Sequence, residues 1–300
     1  MTQIIDGKAL AAAQRTALAA RLKRERLNPH LAIILVGDHA PSRLYVQNKR
    51  KAAAETGIET SLYEEPATIS QVALLARISQ LNIDPAVHGI LIQMPLPAHI
   101  KRQAVLEVLS PDKDVDGLTP LSQGLLMTGQ PNFIPCTPLG CLRLIQSVER
   151  KLAGLEVVVI GRSPLVGNPL AQLLQQQDAT VTVAHRHTVD LATLTRRADI
   201  VVAAAGQENI LTADMVKPGA IVIDVGINRR TEGSLAGDVD FAGVSAVARA
   251  ITPVPGGVGP MTVACLLENT VNAAAAIRQE EKYAEKAAEK AAQKKAKTAS

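Results

Sequence analysis

The run Glu156-Val157-Val158-Val159-Ile160-Gly161-Arg162-Ser163-Pro164-Leu165-Val166-Gly167-Asn168-Pro169-Leu170-Ala171-Gln172-Leu173-Leu174 decides the fold. Its first five residues have the β-branched, near-continuous apolar pattern of a buried strand, and its last five have the character of a helix. Between them lie glycines at a strand-to-helix turn, where backbone can approach a pyrophosphate and a helix N-terminus offers N–H groups and a favourable dipole. Pro169 suits the first helical turn. The spacing is not GxGxxG, so the turn alone also fits a plain βα connection. The strand over 180–184 adds context: it ends at His185-Arg186-His187, where a dinucleotide fold meets the adenosine ribose. Arg162 and Arg186 stand there in place of the usual acid, which points to NADP as cofactor. His185 and His187 have no third ligand in view, and no metal is expected.

Outward from this run the chain alternates helix and strand. Upstream, helices over 9–27, 42–55, 70–81 and 99–109 alternate with strands over 31–36, 59–63 and 89–92. Downstream, a helix over 139–150 precedes the strand at 156, a helix over 168–177 follows it, and strands over 200–204 and 220–225 continue the pattern. The Pro/Gly-rich stretch 111–140 reads as a domain junction and part of a cleft. The expected fold is therefore α/β: two α/β domains flanking a cleft, the second a Rossmann-like dinucleotide-binding domain with a mostly parallel sheet. The expected boundaries are 1–119 for a first domain, completed by a C-terminal helix over 263–278, and 120–262 for the second. An Ala/Lys/Glu-rich tail over 279–300 reads as a frayed, solvated helix.

A chain of 300 residues with 47% hydrophobic composition buries a sizeable core. Its first residues resemble no signal peptide and no apolar run is long enough to span a bilayer, so a cytoplasmic location is expected. Cys136, Cys141 and Cys265 make an odd count with no CxxC pair, the pattern of buried reduced thiols. The formal charge is +4, but Arg278–Ser300 holds seven basic and four acidic residues, so most of that charge is tail. With no Trp, three Tyr and two Phe, the chain lacks the aromatic platforms of single-strand nucleic-acid binders.

On the helix over 42–55, Tyr45 and Lys49 are four residues apart and share a face. Taken by themselves, they fit a core tyrosine and a solvated lysine as readily as a ligand site. Three further segments are polar in a way that turn chemistry does not explain: Gln93-Met94-Pro95-Leu96-Pro97, Lys113-Asp114-Val115-Asp116-Gly117, and Pro255-Gly256-Gly257-Val258-Gly259-Pro260-Met261-Thr262. With YVxxK at Tyr45–Lys49 and the turn at Gly161–Pro169, these five ordered motifs resemble the bifunctional methylenetetrahydrofolate dehydrogenase/methenyltetrahydrofolate cyclohydrolase family over about 3–277.

The resemblance implies NADP-dependent oxidation of 5,10-methylenetetrahydrofolate, hydrolysis of the methenyl product to 10-formyltetrahydrofolate, and a homodimer. It makes Lys49 the catalytic lysine, Gln93 its hydrogen-bond partner, Tyr45 the pterin-stacking residue and Asp116 the pterin anchor. Pro255, Gly256, Gly257, Gly259 and Pro260 join the substrate set. The expected cofactor set is Gly161, Arg162, Ser163, Val166, Gly167, His185 and Arg186, with Thr137, Ala205, Gly206 and Ile227. One departure stands out: relatives commonly carry Cys-His-Ser where this chain has Ala184-His185-Arg186.

The chemistry suits these residues. Hydride removal needs positioning more than an acid or base, because a folate nitrogen lone pair stabilises the product. Hydrolysis needs proton transfers, which a lysine near its operating pKa performs. Arg50 and Lys51 are cations that can favour the neutral amine of Lys49. The rival readings are a relative with dehydrogenase activity only, another Rossmann dehydrogenase acting on a shikimate-like or hydroxy-acid substrate, and a non-enzymatic protein acting through its basic tail.

Overall fold

The computed structural model describes residues 2–230 and 233–298. In chain order the elements are β1 (Gln3–Ile4), α1 (Gly7–Glu25), β2 (His30–Val36), α2 (Ala40–Thr56), β3 (Glu59–Glu65), α3 (Gln71–Ile83), β4 (Gly89–Ile92), α4 (Arg102–Val108), α5 (Pro120–Met127) and α6 (Cys136–Gln146). Then follow β5 (Glu156–Ile160), α7 (Gly167–Gln175), β6 (Thr180–Ala184), α8 (Leu191–Thr195), β7 (Ile200–Ala203), β8 (Ile221–Asp224), β9 (Asn228–Arg229), β10 (Leu235–Ala236), α9 (Phe241–Ser245), β11 (Ala250–Ile251) and α10 (Val258–Thr298).

The chain divides into two units, one formed by the residues up to Ala17 with Asp116–Leu267, the other by Leu18–Val115 with the residues from Glu268 onward. The first unit holds a parallel sheet in the order β1-β11-β8-β7-β5-β6. Its central strands are buried on both faces, which is why they read as unbroken apolar runs. Alternate residues feed two cores: Val157, Val159, Ile200 and Val202 pack with Leu144, Leu170 and Leu174 on one face, while Val158, Ile160, Val201 and Val222 pack with Val244 and Leu211 on the other. Because β6 lies on one side of β5 and β7 on the other, the strand order reverses between β5 and β7. The crevice at such a switch point, beyond the carboxyl ends of the strands, is where open α/β sheets bind ligands.

The second unit is a three-stranded parallel sheet, β3-β2-β4, with β2 central. Leu74, Ile78 and Leu81 of α3 and Val105 of α4 cover one face of it against Ala32, Ile34, Ile90 and Ile92. Helix ends follow local chemistry. Ser70 Oγ caps α3 by accepting the Ala73 N–H at 3.2 Å, and Gly57 closes α2 at φ +90°, a left-handed conformation.

Two expectations change. Residues 2–17 group with the six-stranded sheet rather than with a 1–119 domain, because β1 adds parallel to β11 and Ile5 N donates to Ile251 O at 2.8 Å. The Pro/Gly-rich stretch 111–140, for which the sequence reading named no helix before 139, contains one: Pro120 opens α5, and Thr119 caps it by accepting the Ser122 N–H at 3.2 Å. Proline there is an N-terminal helix residue, not a breaker. The tail expected over 279–300 continues α10 as far as Thr298, and its last two residues lie outside the described range. The three cysteines are buried thiols.

Candidate active site

Tyr45 and Lys49 stand half-buried on α2, with Val46, Ala52 and Ala53 of the same helix turned into the core. Gln93 follows β4, and its N–H donates to Ile34 O at 2.9 Å, which extends the β2–β4 ladder by one residue and fixes where the side chain starts. Its Nε2 donates to Met94 O at 2.7 Å, so Oε1 faces the other way and accepts from Lys49 Nζ at 2.9 Å. The two residues, separated by 44 positions, are thus one unit. Arg50 is exposed and its Nε donates to Thr60 Oγ1 at 3.4 Å on β3, so its charge is directed away from that pair.

The Lys113–Gly117 segment divides its labour. Lys113 is buried, donates from Nζ to Leu81 O at 3.0 Å and Asp84 O at 2.6 Å, and has its pKa lowered by that burial. Asp114 is fully buried. Gly117 adopts φ +68°, and a Cβ there would lie 2.8 Å from Pro135 N. Asp116 is half-buried and makes no side-chain hydrogen bond among the described residues. Further along, Gly256 has φ +114° and Gly257 has no room for a side chain, since a Cβ would meet Pro253 O and Thr252 Cβ at 2.7 Å. Pro255 is exposed, while Gly259 and Pro260 form the first turn of α10.

At the switch point, Gly161 has φ +121° and a Cβ would lie 2.2 Å from Ala204 O; at Gly167 it would lie 1.9 Å from Gly161 O. Both positions accept backbone only, the cradle a pyrophosphate requires. No side chain caps the N-terminus of α7 at Val166, whose N–H goes back to Ser163 Oγ at 3.2 Å. The residues present fit a dinucleotide. Arg162 and Arg186 are exposed, and Arg186 Nε donates to His187 Nε2 at 3.1 Å. His185 Nδ1 accepts the His187 N–H at 3.2 Å. Thr137, on α6, accepts from Thr262 Oγ1 at 3.1 Å, and Ile227 leaves 49% of its surface exposed after β8. Among the described residues no cluster of three or more His, Cys, Asp or Glu is arranged to hold a metal.

The N–H groups of Ala205 and Gly206 do not face outward: both donate to Asp238 Oδ2, at 2.7 and 2.8 Å. Asp238 and its neighbour Asp224 are buried, and nothing in the sequence reading singled them out. In sequence they stand beside glycines, as Asp224-Val225-Gly226 and Gly237-Asp238, a combination too common to mark a site.

Residues 5–116 match the catalytic domain of tetrahydrofolate dehydrogenase/cyclohydrolase, and residues 135–278 match that family's NAD(P)-binding domain. The chain belongs to this family. It is 55% identical over 275 residues to the bifunctional protein FolD of Polaromonas naphthalenivorans (strain CJ2), a match covering 91% of this chain and 98% of that one. Among solved structures, the bifunctional FolD of Campylobacter jejuni shares 48% identity at a TM-score of 0.89, over 91% and 99% of the two chains. The Trypanosoma brucei enzyme, solved with NADP cofactor and an inhibitor, shares 40% identity at a TM-score of 0.87, over 91% and 97%. The resemblance read from the five motifs is borne out. As a family member the chain is a bifunctional folate enzyme, with dehydrogenase and cyclohydrolase activities and an NAD(P)-binding half.

Proposed function

We propose that this family member uses NADP to oxidise 5,10-methylenetetrahydrofolate to 5,10-methenyltetrahydrofolate and then hydrolyses the product to 10-formyltetrahydrofolate, with Lys49 and Gln93 serving the hydrolysis. The observation that carries the residue assignment is the 2.9 Å hydrogen bond from Lys49 Nζ to Gln93 Oε1. A glutamine whose own N–H is tied to backbone holds the amine at one place and cannot take its proton. That leaves the lysine as the proton carrier.

In hydrolysis, water adds its oxygen to the bridging carbon while the Lys49 amine takes one of its protons. The carbon–N5 bond then breaks, Lys49 returns that proton to N5, the second water proton leaves to solvent, and the formyl group stays on N10. Asp116, with two acceptor oxygens, suits paired donors on the pterin, and Tyr45 lies one turn from Lys49 to stack on its ring.

Bound NADP supplies a hydride acceptor. Gly161 and Gly167 would hold its pyrophosphate by backbone, and Arg162 and Arg186 its 2′-phosphate. The NADP found in the Trypanosoma brucei relative supports this choice. The proposal extends to a homodimer in the cytoplasm acting on small folates; light scattering and cell fractionation check these. The decisive experiment incubates purified protein with methylenetetrahydrofolate and either dinucleotide, following reduced cofactor and the methenyl absorbance together. Reduced NADP should form, with methenyl product appearing and decaying. A stable methenyl signal would remove the hydrolase half.

A further inference from the structure

Two buried carboxylates, used by neither reaction step, lie at the carboxyl ends of β7 and β8. Asp238 Oδ2 accepts the N–H groups of Ala205 and Gly206, and its Oδ1 accepts from Asn228 Nδ2 at 2.9 Å. Asp224 lies behind it: Oδ1 accepts the Gly226 N–H at 2.9 Å and the Asp238 N–H at 2.8 Å, and Oδ2 accepts the Val239 N–H at 3.0 Å. The backbone has been cleared for both groups. A Cβ on Gly226 would lie 2.2 Å from Asp238 Oδ1, and one on Gly237 would lie 1.8 Å from Asp224 Oδ2.

The three segments fastened this way are the turn after β7, the turn after β8 and the segment 237–239, whose Val239 bridges to Leu211. The first flanks the switch-point crevice, since Ala204 O is the atom nearest a Cβ on Gly161. The second carries Ile227. Ala205 and Gly206 are themselves exposed, yet their donors point inward to a fully buried carboxylate. An exposed turn needs no buried charge to satisfy its N–H groups, because water does that. What the carboxylate adds is a fixed orientation.

We propose that Asp238 is a positioning residue for the dinucleotide: by holding the Ala205–Gly206 donors inward and Asn228 beside them, it fixes the wall formed by the turns after β7 and β8 against which the cofactor binds. This rests on the dinucleotide site proposed above. It also means that Ala205 and Gly206 meet the cofactor by packing, not by N–H donation.

The test uses the full chain and follows both activities. Asp238→Ala should raise KM for NADP at least tenfold, with kcat at saturating NADP and the rate of methenyltetrahydrofolate hydrolysis within twofold of wild type. Asp238→Asn, whose amide oxygen still accepts both N–H groups and which gives up only the bond from Asn228, should return KM to within threefold. Asn228→Ala, which disturbs the same anchor from its half-buried side, should raise KM about threefold and covers the case in which Asp238→Ala does not fold. Wild-type KM in Asp238→Ala, or hydrolysis lost in step with dehydrogenation in all three variants, would overturn the inference and leave the site standing. Calorimetry showing that the wild-type protein binds no NADP would overturn both.

Discussion

In the proposed mechanism, Lys49 is the residue on which hydrolysis and oxidation part company. Methionine matches its stem and removes the amine, so Lys49→Met should lower hydrolysis of methenyltetrahydrofolate by at least a hundredfold, within the usual contribution of a positioned acid–base group. Folding should survive, since the side chain is only half-buried. Circular dichroism and the hydrolysis rate, measured on the same sample, decide it; hydrolysis at the wild-type rate would remove Lys49 from the mechanism. Arg186 and Arg162 make a second claim at this scale. A guanidinium matches phosphate oxygens, and a charge-assisted contact is worth roughly 1.5–3 kcal/mol, or about tenfold or more in binding. The double variant Arg162→Ala, Arg186→Ser should therefore lose most of the preference for NADP over NAD in kcat/KM, and an unchanged ratio would refute the assignment. Lys49 and Gln93 were legible in sequence only as members of motifs, because no spacing rule joins residues 44 apart; β2–β4 pairing joins them. Asp238 was not legible. Its partners are backbone N–H groups, which every sequence has, and only the folded turns show which ones converge.

Among the elements, long strands and helices followed from apolar periodicity, because a strand buried on two faces or a helix buried on one leaves a pattern longer than its errors. The two-residue strands β1 and β11 left none. Gln3 and Ile4 are exposed, and what places them is the ladder, with Gln3 N donating to Arg249 O at 2.9 Å. Helix α5 was hidden by its own start signal, Thr119-Pro120. The end of β8 makes a prediction about pH. Burial, opposed by three backbone N–H bonds and aided by the nearby Asp238, pushes the Asp224 carboxyl up to about 6 from an ordinary 3.8. A carboxyl whose pKa is raised on folding holds its proton longer in the folded state, so its contribution to stability falls as pH rises from about 4 to about 6 and is flat above that. The whole effect is on the order of 3 kcal/mol at most. Asp199, whose pKa is lowered mainly by its hydrogen bond from Lys217, works in the opposite sense and below this window. His88, whose pKa is lowered by burial, adds a rise with pH that both proteins share, so urea unfolding between pH 4 and 7 should show the decline as the difference between the wild type and Asp224→Asn; parallel curves for the two proteins would mean that Asp224 titrates elsewhere.

For the whole molecule, the open question is where the enzyme ends. The family match stops at residue 278, and among the described side chains Arg278 is the last of α10 to hydrogen-bond another element: its Nη1 donates to Glu25 O and, at 3.0 Å, to Arg26 O, at the end of α1. These are carbonyls that the helix itself leaves without partners, and a cation there also suits the negative end of the helix dipole. Beyond Arg278 the helix continues because no glycine or proline stops it up to Thr298, and alanine, lysine and glutamate favour it intrinsically. Tyr283, the large side chain of that stretch, is 64% exposed and meets Gln279 of its own helix at 3.2 Å. The Glu281 carboxylate acts on the His88 imidazole across a solvent-screened distance, and a stretch held by helix propensity and one such charge contributes little to the rest of the fold. Removing residues 279–300 should therefore leave both activities within twofold and the unfolding free energy unchanged. Removing Arg278 as well should cost about 1 kcal/mol, because a partly exposed charged donor to two carbonyls is lost. Chemical denaturation of the two truncations, one residue apart, measures that step. If the longer truncation product already loses either activity, the basic tail takes part in function and the enzyme does not end where its family match does.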